Sequence, residues 1–307
     1  MLARLWPFLL LLILGLIWGL QFAMLKLAVE SGFAELHVLT LALVLLSVIY
    51  AGILVVRRAL FSLNRERLIF FTIVATIGYI VPMGATLYAA PYVPAGVLVL
   101  IASMAPMFTF AIAIGLRTEH VSKLKIGAMI LGTVSATLVL APEAELPNHG
   151  ALEWMLLAML IPFCYGIESV YVAAKWPAGL DVAQVGFGEA FGAAILMIPL
   201  LFIFGEPSSF SITWSLAELA IVVFVLGGVF DVLIYFYLVK TTGGVLVSFA
   251  TFIALFAGIG WGVIIFSETH GANVWWAVAI LVVALSLVCL DGARGSRLVN
   301  ETSLRVG

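Results

Sequence analysis

Charge is what this chain has least of. Of its 307 residues only 10% are Asp, Glu, Lys or Arg, while 64% are hydrophobic; a soluble domain averages roughly 25% charged residues. So small a stock cannot cover a water-facing surface. Cysteine is as scarce, with two residues in all. Cys164 and Cys289 both lie inside apolar blocks, which supports neither a disulfide framework nor a Cys/His metal site. Basic excess is also missing: 14 Lys plus Arg stand against 16 Asp plus Glu, so there is no electrostatic footprint for nucleic acid. No Walker-type phosphate loop, H-E-x-x-H or G-x-S-x-G pattern occurs. The four histidines, His37, His120, His149 and His270, fall near helix ends or loops. No cofactor or metal is therefore expected.

What the chain does have is long apolar runs and a mean hydropathy of +1.26. A membrane-spanning helix takes about 20 apolar residues, and nearly the whole sequence divides into blocks of that size. Backbone groups in hydrocarbon must be satisfied internally, by helices or by a closed barrel. Barrel strands alternate apolar and polar residues, and runs such as Leu9 to Leu16 and Ile221 to Leu226 do not. The fold class expected is an all-α membrane protein with the lipid bilayer as its solvent.

Charges, Pro/Gly clusters and cap residues divide the sequence into ten transmembrane helices, at 6–27, 35–56, 68–88, 93–115, 124–141, 151–174, 182–204, 216–239, 244–266 and 274–292. The segment from Met1 past Phe22 is too long for a signal-peptide core and lacks a clear cleavage site, so it is read as the first spanning helix. With the N-terminus inside, 13 of the 14 basic residues fall on the cytoplasmic side and only Lys26 falls outside. Short cytoplasmic loops carry such an excess, which predicts a multi-pass inner (cytoplasmic) membrane protein with both termini in the cytoplasm.

A shift of 149 residues (175 minus 26) brings Lys26 onto Lys175, Phe22 onto Tyr171, Gly78 onto Gly227, Tyr88 onto Tyr237 and Glu119 onto Glu268. Lysines thus coincide at the ends of helices 1 and 6, and glutamates in the turns before helices 5 and 10. Five helices per half is an odd number, so the halves must have opposite topology. The expected organisation is two inverted five-helix repeats, residues 1–145 and 146–295, followed by a cytoplasmic tail, 296–307. Inverted repeats are the plan of secondary transporters, whose sites lie near the midplane between the halves.

The first half carries Trp18-Gly19 with Phe22 and Lys26, then Pro94-Ala95-Gly96, Ala105-Pro106-Met107-Phe108, Glu119 and Gly127. The second half carries Tyr165-Gly166, Tyr235 to Thr242 with Gly243-Gly244, and Ser267-Glu268. This pattern resembles the drug/metabolite transporter superfamily, in particular its EamA-type members with two five-helix repeats. Two positions depart from it: Thr40 stands where an Arg is expected, and Leu255 where a second proline is. The resemblance implies transport of small molecules such as amino acids or other metabolites, often outward, and leaves the substrate open.

Most acidic residues have structural explanations. Ser215 with Glu218, and Asp181 with Gln184, match the capping box at a helix start. Glu143 and Glu145 lie in a loop, and Glu119 and Glu268 sit in turns beside helix ends. Glu168, Glu189 and Asp231 differ, because each lies inside an apolar block where an ionisable group costs about 2.5 kcal/mol or more and faces a cavity or a partner. At 1.5 Å per residue they lie roughly 10–13 Å from the cytoplasmic ends of helices 6, 7 and 8, and so share one level. Their offset partners are Gly19, Thr40 and Pro82, so the acidity belongs to one half.

Such a level would draw in a cationic or zwitterionic amine, hold a coupling proton, or both, since three close carboxyls do not all stay ionised. The structural alternative is interhelical hydrogen bonding, with Glu168 reaching Lys175 two turns on. Tyr165 precedes Glu168 by three residues and Tyr235 follows Asp231 by four, which is helical spacing. With Trp18 they could form an aromatic wall for a cation. Pro82 and Pro106 each remove a helix bond and can free a carbonyl. Gly15 and Gly19, and Gly127 with Gly132, are expected to permit close helix packing. The resulting expectation is a secondary transporter, an exporter or exchanger working by alternating access, and not an enzyme. An intramembrane enzyme or a membrane sensor using the same polar cavity is the alternative.

Overall fold

The computed structural model describes residues 2–31, 33–89, 101–119, 121–140, 152–205, 215–267, 275–288 and 290–291, and among these there are helices and no strands. In chain order the helices are α1 (Leu2–Glu30), α2 (Glu35–Val56), α3 (Arg65–Ala75, continuing through Thr76–Ile80 into Val81–Ala89) and α4 (Ala105–Gly115). They continue as α5 (Lys123–Leu140), α6 (Leu152–Ala158 and Leu160–Ala174), α7 (Val182–Phe204), α8 (Leu216–Thr242), α9 (Gly244–Ser248 and Ala250–Phe266) and α10 (Trp275–Val288). Seven of these helical stretches are long and apolar enough to cross a membrane, and Ala105–Gly115 and Trp275–Val288 are shorter apolar helices. The start of the helix expected at 93–115, the turn with Glu143 and Glu145, and Glu268 lie outside the described residues.

Helix ends follow the expected chemistry. The Asp181 carboxylate accepts from the Gln184 backbone N–H at 2.9 Å and the Gln184 side chain accepts from the Asp181 N–H at 2.7 Å, completing a capping box on α7. Ser215 and Glu218 do the same on α8. Glu119 is ion-paired to Lys125 at 2.7 Å, in keeping with a structural role.

Prolines explain two irregularities. Pro162 has no N–H to bond the carbonyl four residues back, and its ring crowds that carbonyl; α6 accordingly breaks at Met159. Pro82 has the same quarrel with Gly78. Here the helix widens into a π-helical turn over Thr76–Ile80, and Val81 N–H bonds to the Thr76 carbonyl. The interruption of α9 at Phe249 has no proline behind it.

Glycines bring several pairs of helices close together. Bare Cα atoms let α1 lie on α9, where a Cβ at Gly19 would fall 2.5 Å from the Ala257 Cβ and 2.6 Å from Gly258 N. In the same way α6 lies on α4, where a Cβ at Gly166 would fall 2.9 Å from Thr109 N. α8 approaches α1 at Gly227 opposite Ile17 and Gln21, and α3 approaches α6 at Gly78 opposite Glu168. α2 and α7 pair antiparallel, with Arg57 against Asp181 and Tyr50 against Gly186. Of the expected packing glycines, Gly15 and Gly132 would also collide with α9 side chains if they carried a Cβ, whereas Gly127 has only an ordinary contact.

Three of the described basic residues lie together at one end of the bundle. Arg57 meets Asp181 at 2.9 Å, Arg67 donates to the Ala178 carbonyl, and Lys240 sits 4.4 Å above the Trp176 ring. Lys26 lies at the opposite end, over the Phe266 ring, because α1 runs antiparallel to α8 through the Gln21–Phe224 and Trp18–Tyr235 contacts.

Candidate functional site

The three intramembrane acids come from three consecutive helices, α6, α7 and α8, and all are buried: Glu168 is 6% exposed, Glu189 4% and Asp231 8%. They converge. The Glu168 carboxyl faces the Glu189 carboxyl and the Tyr235 hydroxyl, and Glu189 lies within electrostatic reach of both Glu168 and Asp231. Lys175, the structural partner considered for Glu168, is exposed at the end of α6, and Glu168 makes no ion pair with it. Buried carboxyls without a basic partner are costly to keep in hydrocarbon. Asp231 faces the Gln21 side chain and Trp18, yet its Oδ1 has no hydrogen-bond partner among the described residues. A buried oxygen in that condition calls for a ligand, a proton or water.

The opposite wall comes from α1, α2 and α3. The Glu168 carboxyl sits on the π-helical turn of α3, where an ideal Cβ on Gly78 would lie 3.1 Å from Cδ and 3.2 and 3.3 Å from the two oxygens. Tyr79, next along that turn, is within electrostatic reach of all three acids. Tyr50 on α2 is fully buried, close to Asp231 and Glu189, and its hydroxyl donates to the Val229 carbonyl at 2.7 Å. Trp18 and Tyr235 come together with ring centroids 6.1 Å apart. Tyr165 does not join them: it is 36% exposed, lies within electrostatic reach of Glu168, and makes no ring contact with either among the described residues. Two buried carboxyls thus meet beside the aromatic and amide side chains of α1, α2 and α3.

Gly78, Tyr79, Tyr50 and Gln21 were not expected at the site. Gln21 alone carries a sequence signal, as an amide inside an apolar block three residues beyond Trp18. At the basic end of the bundle, a cavity of about 290 Å³ is lined by residues including Glu66, Phe70, Tyr171, Lys175 and Trp176. The Phe70 and Tyr171 rings stack there at 5.5 Å and 22°. Tyr171 lies about one helical turn beyond Glu168 along α6.

A multi-helix apolar bundle enclosing a polar centre is the plan of a membrane carrier, and the comparisons agree. Residues 5–141 match the EamA-like transporter family. That family is part of the drug/metabolite transporter superfamily, and the match over these residues implies a multi-pass membrane transporter of small molecules. A solved structure titled "Crystal structure of protein" is similar to 92% of this chain and 97% of its own, with a TM-score of 0.75 and 16% identity. At that identity the likeness speaks for the fold alone. No curated protein matches the chain.

Proposed function

We propose that this protein is a secondary transporter of the cytoplasmic membrane, with ten helices in two inverted five-helix repeats, 1–145 and 146–295, and both termini cytoplasmic. It exports or exchanges a cationic or zwitterionic small molecule, an amine or amino acid, by alternating access. Glu168, Glu189 and Asp231 bind the positive group or hold the coupling proton, with Trp18 and Tyr235 as the aromatic wall and Tyr165 beside Glu168. The observation that carries this reading is the convergence of three buried carboxyls, with no basic partner among the described residues, opposite side chains of α1–α3.

The reciprocal contacts support the repeat. Ala257 and Gly258, the neighbours of Gly19, are offset by 149 from Phe108 and Thr109, the neighbours of Gly166, which stands two residues before the offset position of Gly19, residue 168. Gly78 against Glu168 likewise matches Gly227 against Ile17 and Gln21, which flank the offset position of Glu168, residue 19. The gathering of basic residues opposite Lys26 supports the orientation.

Flux in proteoliposomes tests the reading. Protein reconstituted with a panel of amines, amino acids, nucleosides and organic anions should carry a cation or zwitterion, with flux that depends on pH. Transport confined to anions, or chemical conversion of the solute, would refute it.

A further inference from the structure

We infer that Gly78 is a positioning residue of the carboxylate cluster: its missing Cβ, presented on the π-helical turn of α3, is the seat of the Glu168 carboxyl. Two independent features support this. Glycine is unfavourable inside a helix, and here an added Cβ would lie 3.1 to 3.3 Å from all three carboxyl atoms, closer than ordinary contact, so a methyl would make the carboxyl give by a few tenths of an ångström. The turn is also the widened one, Thr76–Ile80, which Pro82 imposes by crowding the Gly78 carbonyl. Single π turns of this kind recur at functional sites.

Glu168 reaches across the α3–α6 seam and, with its carboxyl on Gly78, meets Glu189 and Tyr235. Moving that carboxyl by a few tenths of an ångström alters both encounters. The offset mate, Gly227, receives a neutral amide side chain instead, with Gln21 Cγ at 3.3 Å and Cδ at 3.6 Å. The same gap between helices thus holds an acid in one seam and an amide in the other. Gly84, further along α3, has nothing within 4 Å of an added Cβ and serves as a control on the same helix.

This inference rests on the carrier reading for its meaning, and its test does not depend on the substrate. Dicyclohexylcarbodiimide, an apolar reagent that adds to protonated carboxyls, is applied to the purified protein across pH, and labelling at position 168 is followed by mass spectrometry. Gly78→Ala should change the labelling rate about threefold and Gly78→Val about tenfold, as a methyl and then a branched group displace the carboxyl. Gly84→Ala should leave it unchanged. In the Glu168→Asp background, whose side chain is one methylene shorter, Gly78→Ala should change labelling less than about twofold. Should Gly78→Ala alone fail to fold, recovery of folded protein in the Gly78→Ala/Glu168→Asp pair supports the seat, and no recovery overturns it. Equal labelling in Gly78→Ala and the parent, or an equal effect from Gly84→Ala, also overturns it. Flux of the Glu168→Gln variant judges the carrier reading separately: unchanged flux and pH dependence would remove Glu168 from transport while the labelling result still stood.

Discussion

The Tyr50 hydroxyl donates a 2.7 Å hydrogen bond to the Val229 carbonyl, two residues before Asp231 on α8. Tyr50 is fully buried, so this bond ties α2 to α8 at the depth of the acids. Interhelical hydrogen bonds in membrane proteins contribute about 0.6 kcal/mol on average and about 1.7 at most. Tyr50→Phe should therefore lower the melting temperature of the purified protein by a few degrees and leave it folded. Loss of the folded protein altogether would mean that the hydroxyl does more than join two helices.

Asp181 has two roles and Arg57 one. Their ion pair is exposed, with 51% and 40% of the Arg57 and Asp181 side chains accessible, and exposed pairs contribute between zero and about 1 kcal/mol. Asp181 also caps α7 through Gln184 N, and losing a cap costs about 0.5–2 kcal/mol. In thermal denaturation Asp181→Ala should be the more damaging substitution. Equal losses from Asp181→Ala and Arg57→Ala would assign the stability to the ion pair instead.

Much of this was legible in the sequence because its signals are local. Both capping boxes lie where Asp181 and Ser215 predict, and α2 and α7 begin and end at the expected residues, 35–56 and 182–204. Cost in hydrocarbon marked Glu168, Glu189 and Asp231 as inward-facing, and they are buried. The rest depended on tertiary facts. Helices that are apolar on every side carry no stripe to say which face turns inward, so Tyr50 and Tyr79 could not be told from aromatic residues that face lipid. Helical spacing paired Tyr165 with Glu168 but did not fix how far the ring would be covered. Pro82 signalled a broken bond, not that the helix would answer by widening at Gly78.

Glycine contacts separate packing from mere tolerance. A Cβ at Gly19 meets the Ala257 Cβ at 2.5 Å, whereas one at Gly52 meets nothing within 4 Å. Overpacking a tight contact costs about 1–3 kcal/mol, while Gly→Ala in an open helix interior gains up to about 1 kcal/mol. Gly19→Ala should reduce folded yield and melting temperature, and Gly52→Ala should preserve or raise both. The reverse ranking would show that α1 and α9 do not pack as described.

Topology offers a test independent of the site. A reporter fused after Arg305 should register as cytoplasmic, and one inserted between Glu145 and Pro147 as external. Both reporters on one side would end the ten-helix, inverted-repeat arrangement.

The acids themselves face the most demanding test. Asp231 Oδ1 is buried without a hydrogen-bond partner among the described residues, and Glu189 lies within electrostatic reach of two other carboxyls. If these groups only held helices together, neutralising them would mainly alter stability. Removing a hydrogen-bonded group costs about 0.5–1.5 kcal/mol, and relieving a buried charge can offset that loss. The molecules that fold would then transport normally. If instead they bind the cation or exchange the proton, Glu189→Gln and Asp231→Asn should fold in near-normal yield and lose flux. Their remaining flux should vary less with pH, because a group that took up or released a proton during the cycle has gone. Flux per folded molecule, measured from acid to alkaline pH, separates the two roles. Unchanged flux and an unchanged pH profile in both variants would remove these residues from the mechanism and leave no physical reason to expect a positively charged substrate.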